Sequence, residues 1–166
     1  MDGEKVDLTD MLICRERRAA LQEEMIGKYH CPVISFCMNI PGPVKTNEKI
    51  LRGFLCGKEA LLEVLKQKHA PIPYTKEFHE KTGDELLLSV EMPASRLKKL
   101  TTEIEESHPL GRLFDMDVID TDGSKLSRPV FRKCLICGEQ AQICARTRRH
   151  SLEEMSARVE EMLSKL

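Results

Sequence analysis

The chain has 166 residues, 41% of them hydrophobic and 32% charged, with a formal net charge of -1. That balance excludes wholesale disorder and fibrous architectures, and the length allows a real core without disulfide staples. The longest apolar runs, Val33 to Ile40 and Leu86 to Val90, fall far short of the roughly 20 residues that cross a bilayer, so no membrane partner is expected.

The opening segment MDGEKVDLTD is acidic and polar where a secretory signal would be basic and then apolar, which predicts a cytoplasmic protein. Seven cysteines in such a chain are expected to stay reduced. From Thr9 to about Tyr29, Leu12, Ile13, Leu21, Met25 and Ile26 recur at near-helical spacing and predict an amphipathic helix. The run VISFCMNI then reads as a buried strand closed by Pro41-Gly42-Pro43. A helix capped by Thr46 or Asn47 follows, with Ile50, Leu51, Phe54, Leu55, Leu61, Leu62 and Leu65 on its apolar face, ending near His69.

Tyr74 to Phe78 is a weaker strand, joined through Thr82-Gly83-Asp84 to the stronger strand Glu85 to Met92. Pro93 opens a helix that runs to about Ser107 with Leu97, Leu100 and Ile104 inward, and Gly111 to Asp120 alternates as a further strand. The order strand, helix, strand, strand, helix, strand predicts an α+β, ferredoxin-like βαββαβ core with an antiparallel sheet. An additional N-terminal helix, a C-terminal hairpin, a Cys-rich segment and a last helix must pack around it. No repeat or dividing linker is visible, so residues 1–166 are expected to form a single domain.

Chemistry concentrates after residue 110. In GRLFDMDVID, period-two geometry sends Leu113, Asp115 and Asp117 to one face and Phe114, Met116 and Val118 to the other. Neighbouring carboxylates repel unless something positive lies between them, so the pair is either a site for Mg²⁺ with phosphate oxygens or a charged strand edge that discourages aggregation. The turn DTDGSKLS returns Ser127 and Arg128 toward these acids, where Arg128 either meets a polyphosphate or pairs with Asp117 or Asp120.

Cys134, Cys137, Cys144 and His150 are spaced C-x2-C-x6-C-x5-H, consistent with structural Zn²⁺ or with free thiols. Arg146, Arg148 and Arg149 stand just before a helix opened by the capping box of Ser151 and Glu154. Cations there oppose the helix dipole, which suggests either a bound anion or a solvated basic turn. The patch is small and the protein has 4% aromatics, so a discrete phosphorylated ligand is favoured and no nucleic acid is expected.

The segments HPLGRLFDMDVID, the following Ser127-Arg128, CLICGEQAQICARTRRHS, and Ser35 to Lys45 together resemble the apo-citrate lyase phosphoribosyl-dephospho-CoA transferase family, also called citrate lyase holo-acyl-carrier-protein synthase. The resemblance covers nearly the whole chain apart from the first dozen residues. It implies a nucleotidyltransferase-type enzyme. The donor would be 2′-(5″-triphosphoribosyl)-3′-dephospho-CoA, the acceptor a serine of the apo acyl carrier (gamma) subunit of citrate lyase, and the by-product pyrophosphate.

Under that resemblance Asp115 and Asp117 are expected to hold Mg²⁺, and Arg112, Arg128, Arg146, Arg148 and Arg149 to meet the triphosphate. Ser127 and Lys45 are further substrate contacts, an ordinary surface lysine being the readier reading of Lys45. His108 and Asp120 are candidate bases for the serine proton, with neither preferred. The competing reading is a zinc-stabilised basic module, built on Cys134, Cys137, Cys144 and His150, that binds RNA or an acidic protein partner.

Overall fold

Helix α1 (Leu8–Tyr29) begins where two aspartates cap each other. The Asp10 N–H donates to Asp7 Oδ1 at 2.8 Å and the Asp7 N–H to Asp10 Oδ2 at 3.2 Å, satisfying donors that the first turn leaves free. This computed structural model describes residues 1–166. The inward face of α1 runs through Cys14, Arg18, Leu21 and Met25. Leu12 and Ile13, expected on that face, are exposed, because the 3.6-residue repeat that includes Met25 carries past them.

Strand β1 (Val33–Met38) is followed by α2 (Glu48–Gln67), which is capped by Asn47 through a 2.9 Å bond from the Ile50 N–H to its Oδ1. Strands β2 (Tyr74–Glu80) and β3 (Gly83–Ser89) form a hairpin in which Glu80 stands opposite Gly83. The turn is therefore Lys81-Thr82 and not Thr82-Gly83-Asp84, with Gly83 at φ +123°, a backbone region that glycine adopts without a Cβ penalty. Helix α3 (Ala94–Ser107) starts at Pro93 and gives way at His108-Pro109 to a 3-10 turn, Gly111–Leu113, before strand β4 (Phe114–Ile119). Leu113 belongs to that turn and is buried in the core, so it does not share a strand face with Asp115 and Asp117 as expected.

The four strands form one antiparallel sheet in the order β2-β3-β1-β4. One face carries Ile34, Phe36, Leu86, Leu88, Met116 and Val118, packed with α2 and α3 into the main core. The other face carries Val33 and Leu87 against Met25 of α1. Beyond β4 the expected hairpin is reduced to a turn: the Asp120 N–H reaches Ser124 O, the Leu126 N–H reaches Val118 O, and no second strand forms. Two helices close the chain, α4 (Ala141–Thr147) and α5 (Leu152–Leu163), and α5 inserts Val159, Met162 and Leu163 into the main core beside α2. No helix is long and apolar enough to cross a membrane.

Gly111 fixes how α3 meets β4. A Cβ placed there would lie 2.2 Å from the carbonyl oxygen of Glu105, a backbone atom that cannot rotate away. Gly111→Ala should therefore destabilise the protein by about 1–3 kcal/mol, an overpacking cost. Gly27→Ala, on the open side of α1 with nothing within 4 Å, should stabilise by up to about 1 kcal/mol. Chemical denaturation of both variants checks the contrast, and equal midpoints would contradict it.

Candidate active site

Strand β4 lies at the sheet edge, and its alternation places Phe114, Met116 and Val118 in the core while Asp115 and Asp117 stand on the opposite, α1-bearing face. Helix α1 packs over β1 and β3, which leaves the two aspartates partly exposed at the margin. They floor a cleft of about 540 Å³ between α3, β4 and the segment 125–142. Its lining includes four cations, Lys98, Lys125, Arg128 and Arg132, against three carboxylates, Glu105, Asp115 and Asp117.

Glu105 organises this charge. It is a buried residue of α3 whose Oε1 accepts the Met116 N–H at 2.8 Å, which ties α3 to the middle of β4. Its Oε2 lies 3.3 Å from Arg128 Nη2, and Arg132 Nη2 stands 3.8 Å from Oε1. Arg128 also reaches Glu106 at 3.5 Å. Its partners are thus the α3 glutamates and not Asp117 or Asp120. Arg132 in turn donates to the carbonyls of Gly111 and Phe114 and lies 3.9 Å from Asp115 Oδ1. Lys98 Nζ donates to Met116 O at 3.3 Å from inside the same wall.

Burial raises the Glu105 carboxyl above its usual range against the pull of Arg132, the Met116 N–H and Arg128. Burial likewise raises Asp115, with Asp117 pushing the same way, and it depresses the Lys98 ammonium. The charge between the paired aspartates comes from the protein itself, since Lys125 Nζ sits 2.5 Å from Asp117 Oδ2 and Arg132 lies near Asp115. A cation is therefore not required to stabilise the pair. The donor set still suits Mg²⁺ in kind, because both acids offer hard oxygens at an open margin where water or phosphate oxygens could complete a shell.

Of the residues singled out in the sequence, the cleft brings together Asp115, Asp117, Ser127 and Arg128. Arg112, on the 3-10 turn, lies behind it with Nε and Nη1 buried and unpartnered, and burial with the neighbouring Arg132 lowers its affinity for the proton. Lys45 lines a second cavity of about 140 Å³, with Arg15, Arg18 and Cys37, where its Nζ donates to Ile40 O at 2.7 Å. Asp115 lines both cavities.

Arg146, Arg148 and Arg149 line neither. They close α4, whose C-terminal dipole favours cations, so the electrostatic conflict inferred at the start of α5 is offset on the other side. His108 accepts the Leu110 N–H through Nδ1 at 3.0 Å and packs on Phe114, and Asp120 caps its own turn at the Thr121 N–H. Neither of these candidate bases lines the cleft.

The ligand atoms of Cys134, Cys137, Cys144 and His150 all lie within 4.8 Å of one another, close to the separation of about 3.5–3.8 Å that a tetrahedral ion of ordinary bond length requires. Cys137 Sγ is 3.5 Å from Cys144 Sγ and 3.3 Å from His150 Nε2, and the cluster could hold a metal ion. The Glu139 backbone N–H and then His150 pull the Cys137 thiol down to about 6, while burial pushes Cys144 up to about 11. Across 120–150 these ligands supply the only buried side chains, Cys134 and Cys144, so this wall of the cleft has no apolar core of its own.

Glu105, Lys98, Lys125 and the site role of Arg132 escaped the sequence reading. The signal lay in Lys98, Thr101, Thr102 and Glu105, a polar stripe at i, i+3, i+4, i+7 on α3 that is buried along its whole length. A buried polar stripe is the informative exception to an amphipathic pattern.

An α+β protein with a cation-lined cleft beside paired carboxylates is built to handle a phosphorylated substrate, and the chain is an enzyme of the transferase class. Residues 6–166 match the apo-citrate lyase phosphoribosyl-dephospho-CoA transferase family, and the chain belongs to it. A probable apo-citrate lyase phosphoribosyl-dephospho-CoA transferase of Vibrio cholerae serotype O1 (strain M66-2) is 40% identical over 162 residues, 95% of this chain and 91% of the relative. The corresponding transferase of Citrobacter koseri is 37% identical over 95% of this chain and 88% of its own length. That of Escherichia coli O1:K1 / APEC is 36% identical over 96% and 89%.

Because the folded chain holds the Glu105 proton more tightly than the unfolded chain does, ionising Glu105 costs stability as pH rises from the ordinary carboxylate range through its elevated value. Glu105→Gln removes that cost. The stability of the variant relative to wild type should therefore improve as pH rises from the ordinary carboxylate range through the raised value and level off above it, measured by denaturation at each pH. Parallel stability curves would contradict the placement of Glu105.

Proposed function

We propose that residues 1–166 act as one cytoplasmic transferase domain on a ferredoxin-like split βαβ core. The domain moves the phosphoribosyl-dephospho-CoA group of 2′-(5″-triphosphoribosyl)-3′-dephospho-CoA to a serine of the apo acyl carrier subunit of citrate lyase. The serine oxygen forms a new P–O bond at the phosphorus next to the ribose, the bond to the outgoing pyrophosphate breaks, and the serine proton is lost.

The observation that carries this reading is the convergence of Lys98, Lys125, Arg128 and Arg132 on a cleft floored by Asp115 and Asp117. A triphosphate needs that density of positive charge, and a leaving pyrophosphate needs it more as its charge grows. Arg128 and Arg132, held by Glu105, are preorganised to meet phosphate oxygens, and their planar forks suit bidentate contact. Asp115 and Asp117 are the residues that would hold Mg²⁺, which when bound supplies further neutralisation of phosphate charge. Lys125, the most exposed of the four, exchanges Asp117 for a phosphate oxygen when the donor enters.

Arg112 adds positive charge behind the cleft for the triphosphate, and Ser127 contacts the donor. Lys45 serves the smaller cavity beyond Asp115, and Arg146, Arg148 and Arg149 contribute to the field around the cleft. The Cys134, Cys137, Cys144 and His150 cluster holds a structural zinc, a reading supported by its soft donors and their close approach.

Mixing the protein with the donor, Mg²⁺ and the apo carrier should add the mass of the prosthetic group to the carrier, read by intact-protein mass spectrometry; an unchanged carrier mass rejects the proposal. Asp115→Asn and Asp117→Asn should each slow transfer by about 100-fold or more without unfolding the protein. Since Asp115 must lose its proton to act and is held above the usual carboxylate range, the wild-type rate should climb with pH through that raised value. Metal analysis should find about one zinc per chain, lost in Cys144→Ser together with thermal stability; a metal-free wild type of full stability would refute the zinc assignment.

A further inference from the structure

The cleft has two chemically distinct ends. The α3 and β4 side contributes charge alone, Lys98, Glu105, Asp115 and Asp117, while the segment 126–142 mixes Arg128 and Arg132 with the apolar Leu126, Val130, Phe131 and Ala141 and the neutral amides of Gln140 and Gln142. Val130 and Phe131 are the most openly displayed apolar pair at the cleft, 63% and 68% exposed. The exposure of Phe131 sets it apart in this chain. Phe36, Phe54 and Phe114 are fully buried and Phe78 is partly covered. An aromatic ring left open to water in a cleft that also carries four cations offers apolar area and positive charge to one ligand, a flat group joined to a negative one.

A nucleotide has that combination, phosphate at one end and a base at the other. We infer that Phe131, flanked by Val130, is the platform on which the adenine base of the donor stacks, with Gln140 and Gln142 facing the edge of the base. This rests on the proposed donor and adds where its non-reacting end is read. Stacking on an aromatic side chain is tolerant of which base is presented, whereas a glutamine amide offers both a donor and an acceptor to the edge. The segment is braced after the ring: the Ala141 N–H donates to Arg132 O at 2.8 Å and the Cys134 N–H to Glu139 O at 2.5 Å, so the residues that follow Phe131 are tied to the start of α4. Phe131 thus supplies affinity for the adenine part of the donor, away from the reacting phosphorus, and the two glutamine amides supply the choice of base.

The chain contains no tryptophan, so Phe131→Trp introduces a single reporter at the platform. Titration of 3′-dephospho-CoA into Phe131→Trp should quench its fluorescence, while titration of pyrophosphate should not. By calorimetry, Phe131→Ala should weaken 3′-dephospho-CoA about ten-fold or more, leave pyrophosphate within about two-fold, and be rescued by Phe131→Tyr. The inference is overturned if Phe131→Ala binds 3′-dephospho-CoA as wild type does, if it loses both ligands equally, or if it raises only the half-saturating concentration of the carrier subunit. The wild-type mass-gain assay separates the two readings. Transfer by wild type with an unaltered Phe131→Ala affinity removes the platform alone, and absence of both transfer and 3′-dephospho-CoA binding removes the donor as well.

Discussion

One buried carboxylate sets the geometry on which the rest depends. Glu105 leaves α3 beneath the edge strand, takes the Met116 N–H, and gathers Arg128 and Arg132 around its remaining lone pairs. A buried acid of this kind contributes little stability by itself, because desolvation offsets much of its attraction to the guanidinium groups. Its value lies in position. It joins the helix, the strand and the segment after the strand at one point, and Gly111 permits that junction by letting the 3-10 turn pass against the Glu105 carbonyl. The cleft is therefore anchored from the sheet side by a polar contact in addition to the apolar packing of α3 on β4.

Much of the scaffold was legible because its signals are local. The alternation in FDMDVI, the Asn47 and Ser151 caps and the Pro93 start each specify backbone within a few residues, and all appear in the folded chain. The paired Asp115 and Asp117 were legible for the same reason. What failed was information carried by tertiary contact. Leu12 and Ile13 are apolar yet exposed, since the face of α1 is chosen by what β1 and β3 present to it, including Glu85, whose carboxylate draws in Cys14 and Arg18. Arg146, Arg148 and Arg149 stand just before α5 but also close the short helix α4, whose C-terminal dipole favours them. Glu105 and Lys98 carried no local mark beyond their spacing, because an acid and a lysine on a helix ordinarily face water.

The site combines two kinds of construction. Its floor and one wall are regular secondary structure packed on the main core, where side-chain positions follow from strand pleat and helix pitch. Its other wall, which carries Arg128, Phe131 and Arg132, is irregular chain between β4 and α4. The charges that line the cleft are thus contributed from both, and Glu105 is the group that registers one against the other.

That second wall hides only two side chains, both of them cysteines of the Cys3His cluster. Leu126 and Leu135 reach the main core, but the segment has little interior of its own, and a link among its donors would shorten its free loops and so reduce the conformational entropy it otherwise keeps. The four donors, drawn from before, within and after α4, divide the stretch into short closed spans. An ion held by those donors would therefore set the rigidity of this part of the enzyme, while the sheet beneath has its own ladders and core to keep it folded.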